Sequence, residues 1–232
     1  MKWLKFAGVA VAVSLCMVAG AVAEEKKAEE SAAQNLVELK TELPQAMFEG
    51  TPVPFRVPHL DETSLEARPP FMVPPGVTNL ALGKPVTSSD DFPLIGELEY
   101  VTDGDKSGVE GSYVELFSGQ QWVQIDLQQQ AEIYAVLIWF FHRSPRVYHD
   151  VIVRVSDDPD FVEGVKTLFN NDHDNSSGMG VGRDKAFIET NQGRLIDAKG
   201  VTARYVRIYS NGNTANAMNH YCEVEVHGRP AS

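Results

Sequence analysis

Cysteine is almost missing from this chain: its 232 residues contain two, Cys16 and Cys222. Cys16 sits in an N-terminal apolar run that reads as a cleaved leader, which leaves one thiol and excludes an internal disulfide. Stability must then come from a packed core, with a bound cation as a second source. Cys222 falls on a late strand and reads as buried and inert. Positive charge is scarce too, with 20 Lys and Arg against 32 Asp and Glu and a net charge of -12. A surface this acidic repels nucleic acid and anionic lipid, but it suits neutral sugars, divalent cations or basic partners. No long segment carries apolar residues at helical spacing, which argues against a helical domain. Catalytic signatures are also lacking. The 6 histidines form no HExxH pair, and no serine sits in a nucleophile elbow. The glycine-rich run 178–182 does not open a helix after a strand, so it is no phosphate cradle. A metalloenzyme would need a transition metal at His142, His149 or His173, and no spacing enforces one. These absences argue for a non-enzymatic chain.

The N-terminus has the three parts of a secretory signal. Lys2 and Lys5 form the basic region, Phe6 to Val18 the apolar region, and Ala21-Val22-Ala23 the cleavage site. Cleavage after Ala23 makes the protein secreted, periplasmic or held at the cell surface. The alternative is an uncleaved anchor, because Phe6 to Ala23 approaches spanning length; Gly8, Ser14 and Gly20 dilute the run and favour cleavage. Leu15 before Cys16 argues against a lipoprotein site, which wants a small residue there. Residues 24–42 are rich in Ala, Glu and Lys and read as a solvated tether, with Asn35 to Leu39 as a short helix. Residues 43–78 are dominated by prolines, from Pro44 to Pro75, which hold the backbone extended. Either this arm is a semi-rigid spacer, or parts of it lie against the domain. Met47, Phe48, Phe55, Phe71 and Met72 argue for the second reading.

Residues 79–228 read as the folded domain. Strand patterns recur at Gln121–Leu127, Ile133–Phe141, Val151–Ser156, Lys166–Phe169, Arg204–Ser210 and Cys222–His227. Polar turns such as Asp103-Gly104, Ser118-Gly119 and Asp157-Asp158-Pro159 separate them. Many short strands with polar turns predict an all-β sandwich. Ala135 to Phe141 is apolar on both faces and predicts a central strand. Trp122, Trp139 and Phe140 are expected in the core.

Thr102-Asp103-Gly104-Asp105-Lys106-Ser107 sets two carboxylates about a glycine, which lets a tight loop turn both oxygens inward on a cation. It also fits a plain solvated Asp-Gly turn. A second polar loop, residues 170–184, places Asp172, Asp174 and Ser176 like the start of a helix-loop-helix calcium loop. The pattern then fails, with Ser177 where glycine and Arg183 where glutamate would stand. Amide and carboxylate groups such as Asn171, Asp172 and Asn175 suit sugar hydroxyls better, although a long mobile insertion would have the same composition. A third cluster, His142, Arg143, Arg146 and Tyr148, follows the central strand, and Asn211, Asn213 and Asn216 close the next loop.

The pattern Asn79-Leu80-Ala81-Leu82-Gly83-Lys84-Pro85-Val86, with Thr102 to Asp105, Gln121 to Leu127, Ala203 to Tyr209 and Tyr221 to Gly228, resembles the discoidin, or coagulation-factor type C, domain. Carbohydrate-binding module family 32 belongs to the same group. The resemblance covers about two thirds of the chain and implies a jelly roll of two antiparallel sheets that binds ligands through loops at one end and is not catalytic. It implies a structural calcium held by Asp103, Asp105, Ser107 and Glu223 with carbonyls of Tyr100 and Cys222. It also implies a glycan or glycoconjugate partner, for which His142, Arg143, Arg146 and Tyr148 supply the side-chain types such modules use, with Asn211 and Asn213 from the next loop; a hairpin with solvated basic residues fits the first cluster equally, and Asn171, Asp172 and Asn175 of the polar loop are further candidates. Many extracellular members tie their ends with a disulfide, which this chain lacks. A rival reading is an envelope protein-interaction module that uses the Pro-rich arm. Binding to anionic membranes, known for coagulation relatives, would need exposed apolar spikes above basic residues, and the acidity opposes it.

Overall fold

The computed structural model describes residues 35–51 and 54–231. The leader and most of the tether lie outside the described residues. The chain divides into two compact units. In the smaller one, residues 35–39 with Pro70–Gly76, β1 (Val37–Glu38) pairs antiparallel with β2 (Met72–Val73). The helix expected at Asn35–Leu39 is thus replaced by a strand. Five residues cannot sustain a helix alone, whereas β-branched Val37 opposite Val73 suits a ladder.

The larger unit holds residues 40–69 and everything from Val77 onward. Its strands are β3 (Thr78–Asn79), β4 (Val86–Ser88), β5 (Val114–Leu116), β6 (Gln121–Phe140), β7 (Ile152–Ser156), β8 (Lys166–Asn170), β9 (Arg194–Ser210) and β10 (Asn219–Pro230), with a single 3-10 turn at Leu98–Thr102. The strands pair antiparallel, in the order β3-β10-β6-β9-β7-β8, with β4 added to β6 and β5 to β10; an isolated bridge, Leu60 to Ala186, is parallel. The fold is an all-β sandwich.

Two long strands set its shape. β6 merges the stretches 121–127 and 133–141 that alternation marks as separate strands. It breaks register with β9 between Asp126 and Ala131, where Gln128 takes a φ of 64°. Farther along, opposite Tyr134, β9 carries a bulge in which Lys199 and Gly200 have φ of 54° and 72°. Each strand therefore serves both layers. A second slip, between Ile133 and Ala135, changes which positions face the core. Val123, Ile125, Leu127 and Ile133 point inward before it, Val136, Ile138 and Phe140 after it. Because Val123 and Ile125 face inward, the alternation sends Trp122 to the outer face, contrary to the core placement expected for it; it stacks there on the Arg207 guanidinium at 4.2 Å. Trp139 is fully buried, but on the face opposite Phe140, with its indole N–H on the Asn191 carbonyl at 2.9 Å.

The Pro-rich arm up to Pro69 is part of this unit. Asp61 and His59 exchange backbone bonds with Ala186 at 2.7 and 3.1 Å, and Asn191 reaches the Pro44 carbonyl at 2.8 Å. Arg68 donates to the Gln192 carbonyl at 2.9 Å. Phe55, Val57 and Leu60 pack on Val147, Ala186 and Ile188. Of the apolar residues that argued against a free spacer, Phe55 finds this surface, while Met47 is exposed. At the centre of the sandwich, Phe140 stacks on Tyr148 at 4.4 Å and meets Tyr221 at 5.1 Å. Phe140→Ala should lower unfolding free energy by about 3–5 kcal/mol, measured by urea denaturation.

Candidate functional site

The register gathers several loops at one end. Gln121 at the start of β6 lies opposite Ser210 at the end of β9, and Ile152 of β7 lies opposite Tyr209. The other end of β6 returns to the same place, since Phe140 pairs with Tyr221 and the Tyr221 hydroxyl lies 2.8 Å from Ser210 Oγ. The loops 141–151, 171–193 and 211–218 all emerge here and tie to one another. The His149 amide donates to the Gly212 carbonyl at 3.0 Å, the Asn211 amide to the His149 carbonyl at 2.9 Å, and the Asn171 amide to the Val151 carbonyl at 3.1 Å. Asn211 Nδ2 and Ser176 Oγ both donate to Asp150 Oδ2, at 2.9 and 3.0 Å.

Between these loops and the arm opens a cleft of about 320 Å³. Its walls include His149, Asp150, Asn171, His173 and Asp174 from the loops, and Val57, Pro58 and His59 from the arm. The His59 and His173 rings stack at 4.1 Å. Asp150, Asp172 and Asp174 bring carboxylate oxygens within 4.8 Å of one another, the arrangement of a cation site. Burial works against ionised Asp172, but bonds from the Ser177 hydroxyl and amide and the Ser176 amide hold its pKa below the usual range. Asn171 is 6% exposed. Its Oδ1 accepts from the Val151 amide at 2.7 Å, while its Nδ2 has no partner.

Several residues expected on the rim are instead interior. His142 is 0% exposed; its Nε2 sits 2.7 Å from the Lys106 carbonyl, and burial lowers its pKa. Tyr148 is 1% exposed, a core residue that only edges the cleft. Arg146 is buried, with its guanidinium over the Phe141 ring at 4.3 Å and one N–H on Ser144 Oγ at 2.9 Å. The strand that precedes them buries both faces, and these side chains continue its packing rather than leave it. Arg143 remains half-buried at the surface. Asn213 folds onto its own turn, donating to the Met218 carbonyl and Asn216 Oδ1, each at 2.9 Å. Asn175, at φ 60°, accepts from the Gly180 amide at 2.6 Å and serves its loop. Asn171, Asp172 and Asn211 do reach the cleft or its acid cluster. The reading of the rim passed over Asp150, Asp174, His149 and His173 as sugar contacts. Nothing in the local pattern pointed to Val57, Pro58 and His59, which arrive from far upstream.

The second locus is the loop Asp103 to Ser107. The Gly104 amide donates to Glu223 Oε2 at 2.9 Å, so loop and last strand meet. Asp103 Oδ1 accepts from the Asp105 amide at 2.8 Å, and Asp105 Oδ1 from the Ser107 amide at 2.9 Å. Ser107 Oγ lies 3.1 Å from Ser112 Oγ. Glu223 is 0% exposed, and its Oε1 has no partner. Burial, with lesser pushes from Glu225 and Asp103, raises its pKa to about 8. An orphaned oxygen on a buried acid is what an oxygen-coordinated ion would satisfy. Among the described residues, Asp103, Asp105 and Glu223 do not converge as closely as the cleft acids do. An ion here would therefore draw on backbone carbonyls as well.

A third surface feature is apolar. Phe92, 81% exposed, is joined by Leu94, Ile95 and Phe117. Asp90 accepts from the Phe117 amide at 3.1 Å, and the Leu94 amide bonds to Glu115 at 2.8 Å. These spikes stand over acids, not over the basic residues that an anionic membrane calls for.

Residues 100–208 match the family model described as F5/8 type C, NedA-like, galactose-binding domain. The resemblance read from the sequence is shown over that stretch. No curated protein matches the chain. Among solved structures, the chain is similar to a family 89 glycoside hydrolase from Clostridium perfringens, at 18% identity and a TM-score of 0.49, over 66% of this chain and 15% of that one. It is also similar to a fucose-binding module from Streptococcus pneumoniae, at 20% identity and 0.45, over 64% and 96%. A chitosan-binding module from a Paenibacillus chitosanase/glucanase is 20% identical at 0.42, over 64% and 98%. The chain thus spans only 15% of the hydrolase it matches.

Beneath the loop end, Tyr148, His220 and Glu115 form a chain: His220 Nδ1 lies 3.0 Å from the Tyr148 hydroxyl and Nε2 lies 3.0 Å from Glu115 Oε2. Burial, then the nearby Arg146 charge, lowers the His220 pKa to about 4. The contact with Glu115 is therefore a hydrogen bond from neutral imidazole, not an ion pair. A folded pKa below the unfolded value stabilises above about 6.5, and that contribution is lost as pH falls toward 4. Unfolding free energy should drop by at most about 3 kcal/mol over this window, and His220→Gln should flatten the decline in urea titrations at stepped pH.

Proposed function

We propose that this chain is an exported, non-catalytic module that binds a glycan in the cleft at the loop end of its sandwich. One observation carries the reading. The cleft sets the carboxylates of Asp150 and Asp174 and the imidazoles of His149 and His173 around about 320 Å³. Such mixed donors and acceptors suit vicinal hydroxyls, each of which both gives and takes a hydrogen bond. Support comes from the matched family model, which describes a galactose-binding domain. The secretory pattern of Lys2 to Ala23 supports export.

Calcium in this reading is a staple. Glu223, with Asp103, Asp105 and Ser107, would hold it, fixing the loop that bonds to β10 and neutralising a buried acid. The rival metalloenzyme needs a transition metal at His142, His149 or His173. His142 is 0% exposed with its Nε2 on the Lys106 carbonyl, and among the described residues these histidines join no group of three metal-ligating side chains. The rival docking role for the Pro-rich arm is weakened because that arm is bound to its own sandwich. A single shallow site binds weakly, on the order of millimolar to micromolar, so retention at a surface would need several copies or attachment.

Two measurements bear on this. A glycan array with calcium present should show binding to a defined group of sugars, and a blank array at high protein concentration contradicts the reading. Calcium should raise the melting temperature of the purified protein. Glu223→Gln should remove most of that rise; an unchanged rise in this variant places the stabilising ion elsewhere.

A further inference from the structure

The sandwich also carries an apolar patch outside the cleft. Phe92 is the most exposed large apolar side chain among the described residues, and Leu94, Ile95 and Phe117 are exposed beside it. Backbone bonds hold the two segments together: the Leu94 amide donates to the Glu115 carbonyl at 2.8 Å, and the Glu115 amide to the Ile95 carbonyl at 2.9 Å. Asp90 fixes the two aromatics. Its Oδ1 accepts from the Phe92 amide and its Oδ2 from the Phe117 amide, each at 3.1 Å. One carboxylate thus clamps both aromatic-bearing segments. Apolar side chains already held in place lose less entropy when a partner covers them.

Charge decides what can cover this patch. Between Lys84 and Gln120 the chain has eight acids and one base, and that base, Lys106, is spent on Glu225. Asp91, Glu97 and Glu99, which flank the apolar side chains in sequence, are exposed. Among the described residues none of the three forms an ion pair. A second copy of this chain would set acid against acid across the contact. An anionic membrane or a nucleic acid meets the same repulsion. A protein with lysines or arginines around an apolar hollow matches both features, since protein interfaces join an aromatic-rich centre to a polar rim.

We propose that Phe92, Leu94, Ile95 and Phe117 form a docking surface for a basic protein. The phenyl groups enter an apolar hollow on the partner, and Asp91, Glu97 and Glu99 meet lysines or arginines on its rim. The two parts do different work. Burial of the aromatics supplies the hold. The rim charges steer the encounter and reject acidic partners, while each exposed pair adds little affinity. Affinity therefore depends on Phe92, and its salt dependence on the acids. Asp90 is a positioning residue, because its oxygens are occupied by the two amides. The inference is independent of the glycan reading, since none of these residues lines the cleft.

The test titrates the full chain into a fluorescent synthetic peptide that carries lysines on one helical face and leucine and phenylalanine on the other. This peptide should bind at least tenfold more tightly than an oligolysine of equal charge, and should weaken as salt rises. Phe92→Ser should weaken it at least tenfold. Phe92 is exposed, so the variant should keep its fold, which circular dichroism verifies. Glu97→Gln combined with Glu99→Gln should weaken binding at least threefold and flatten its salt dependence. A peptide that fails to bind, that binds no better than oligolysine, or whose affinity is unchanged by Phe92→Ser overturns the docking surface. Phosphatidylcholine vesicles bound through Phe92 while the peptide is ignored overturn the protein partner in favour of a membrane. A dimer in sedimentation that Phe92→Ser abolishes overturns it in favour of a second copy.

Discussion

The pairing of β6 with β9 is the constraint from which the rest follows. Both strands are long enough to cross one layer, bend, and return through the other, with one register break at Gln128 of β6 and a second where Lys199 of β9 lies opposite Tyr134. A non-glycine residue in the left-handed region marks each of the two breaks that let the strands double back. That doubling-back brings both ends of β6, the end of β9 and the start of β10 to one edge. Loops far apart in sequence are then neighbours by necessity, and a cleft can form without any helix to position it.

Buried charge is the second theme. Glu223 lies on the last strand with one oxygen unmet, and Glu189 is fully buried with both oxygens unmet, so burial pushes both carboxyls up. Beside them, Glu225 is held ionised against its burial by His227 and Lys106. A small sandwich without disulfides tolerates such groups only where each has a proton, a counter-ion or a bound cation to share. The arm contributes here: Arg68 approaches Glu225 closely enough for their charges to interact. Residues 40–69 thus act as a part of the domain, covering the sheet on one face and walling the cleft at its end.

Much of the architecture was legible in the chain because period-2 alternation reports which face is buried. It marked the central strand at Ala135–Phe141, and the family resemblance brought the loop 103–107 to Glu223, where the Gly104 amide rather than the two aspartates makes the contact. What alternation could not carry was a change of phase. The slip at Ile133 reverses the faces of β6, so Phe140 rather than Trp139 faces the central core. Rim chemistry was harder still. His142, Arg146 and Tyr148 have the side chains of a sugar site, yet the packing of Phe140 and Phe141 draws them inward. The cleft residues that replace them depend on contacts between segments more than a hundred positions apart, such as His59 with His173. No local pattern encodes those.

The central claim is that the loop-end cleft is a glycan site. The most direct measurement is a crystal structure of the full chain soaked with mixed monosaccharides and calcium. The account predicts sugar density between Asn171 and Asp174, against the wall made by Val57 and Pro58. Sugar bound instead at the exposed Phe92 and Phe117, with the cleft filled only by solvent, would contradict it.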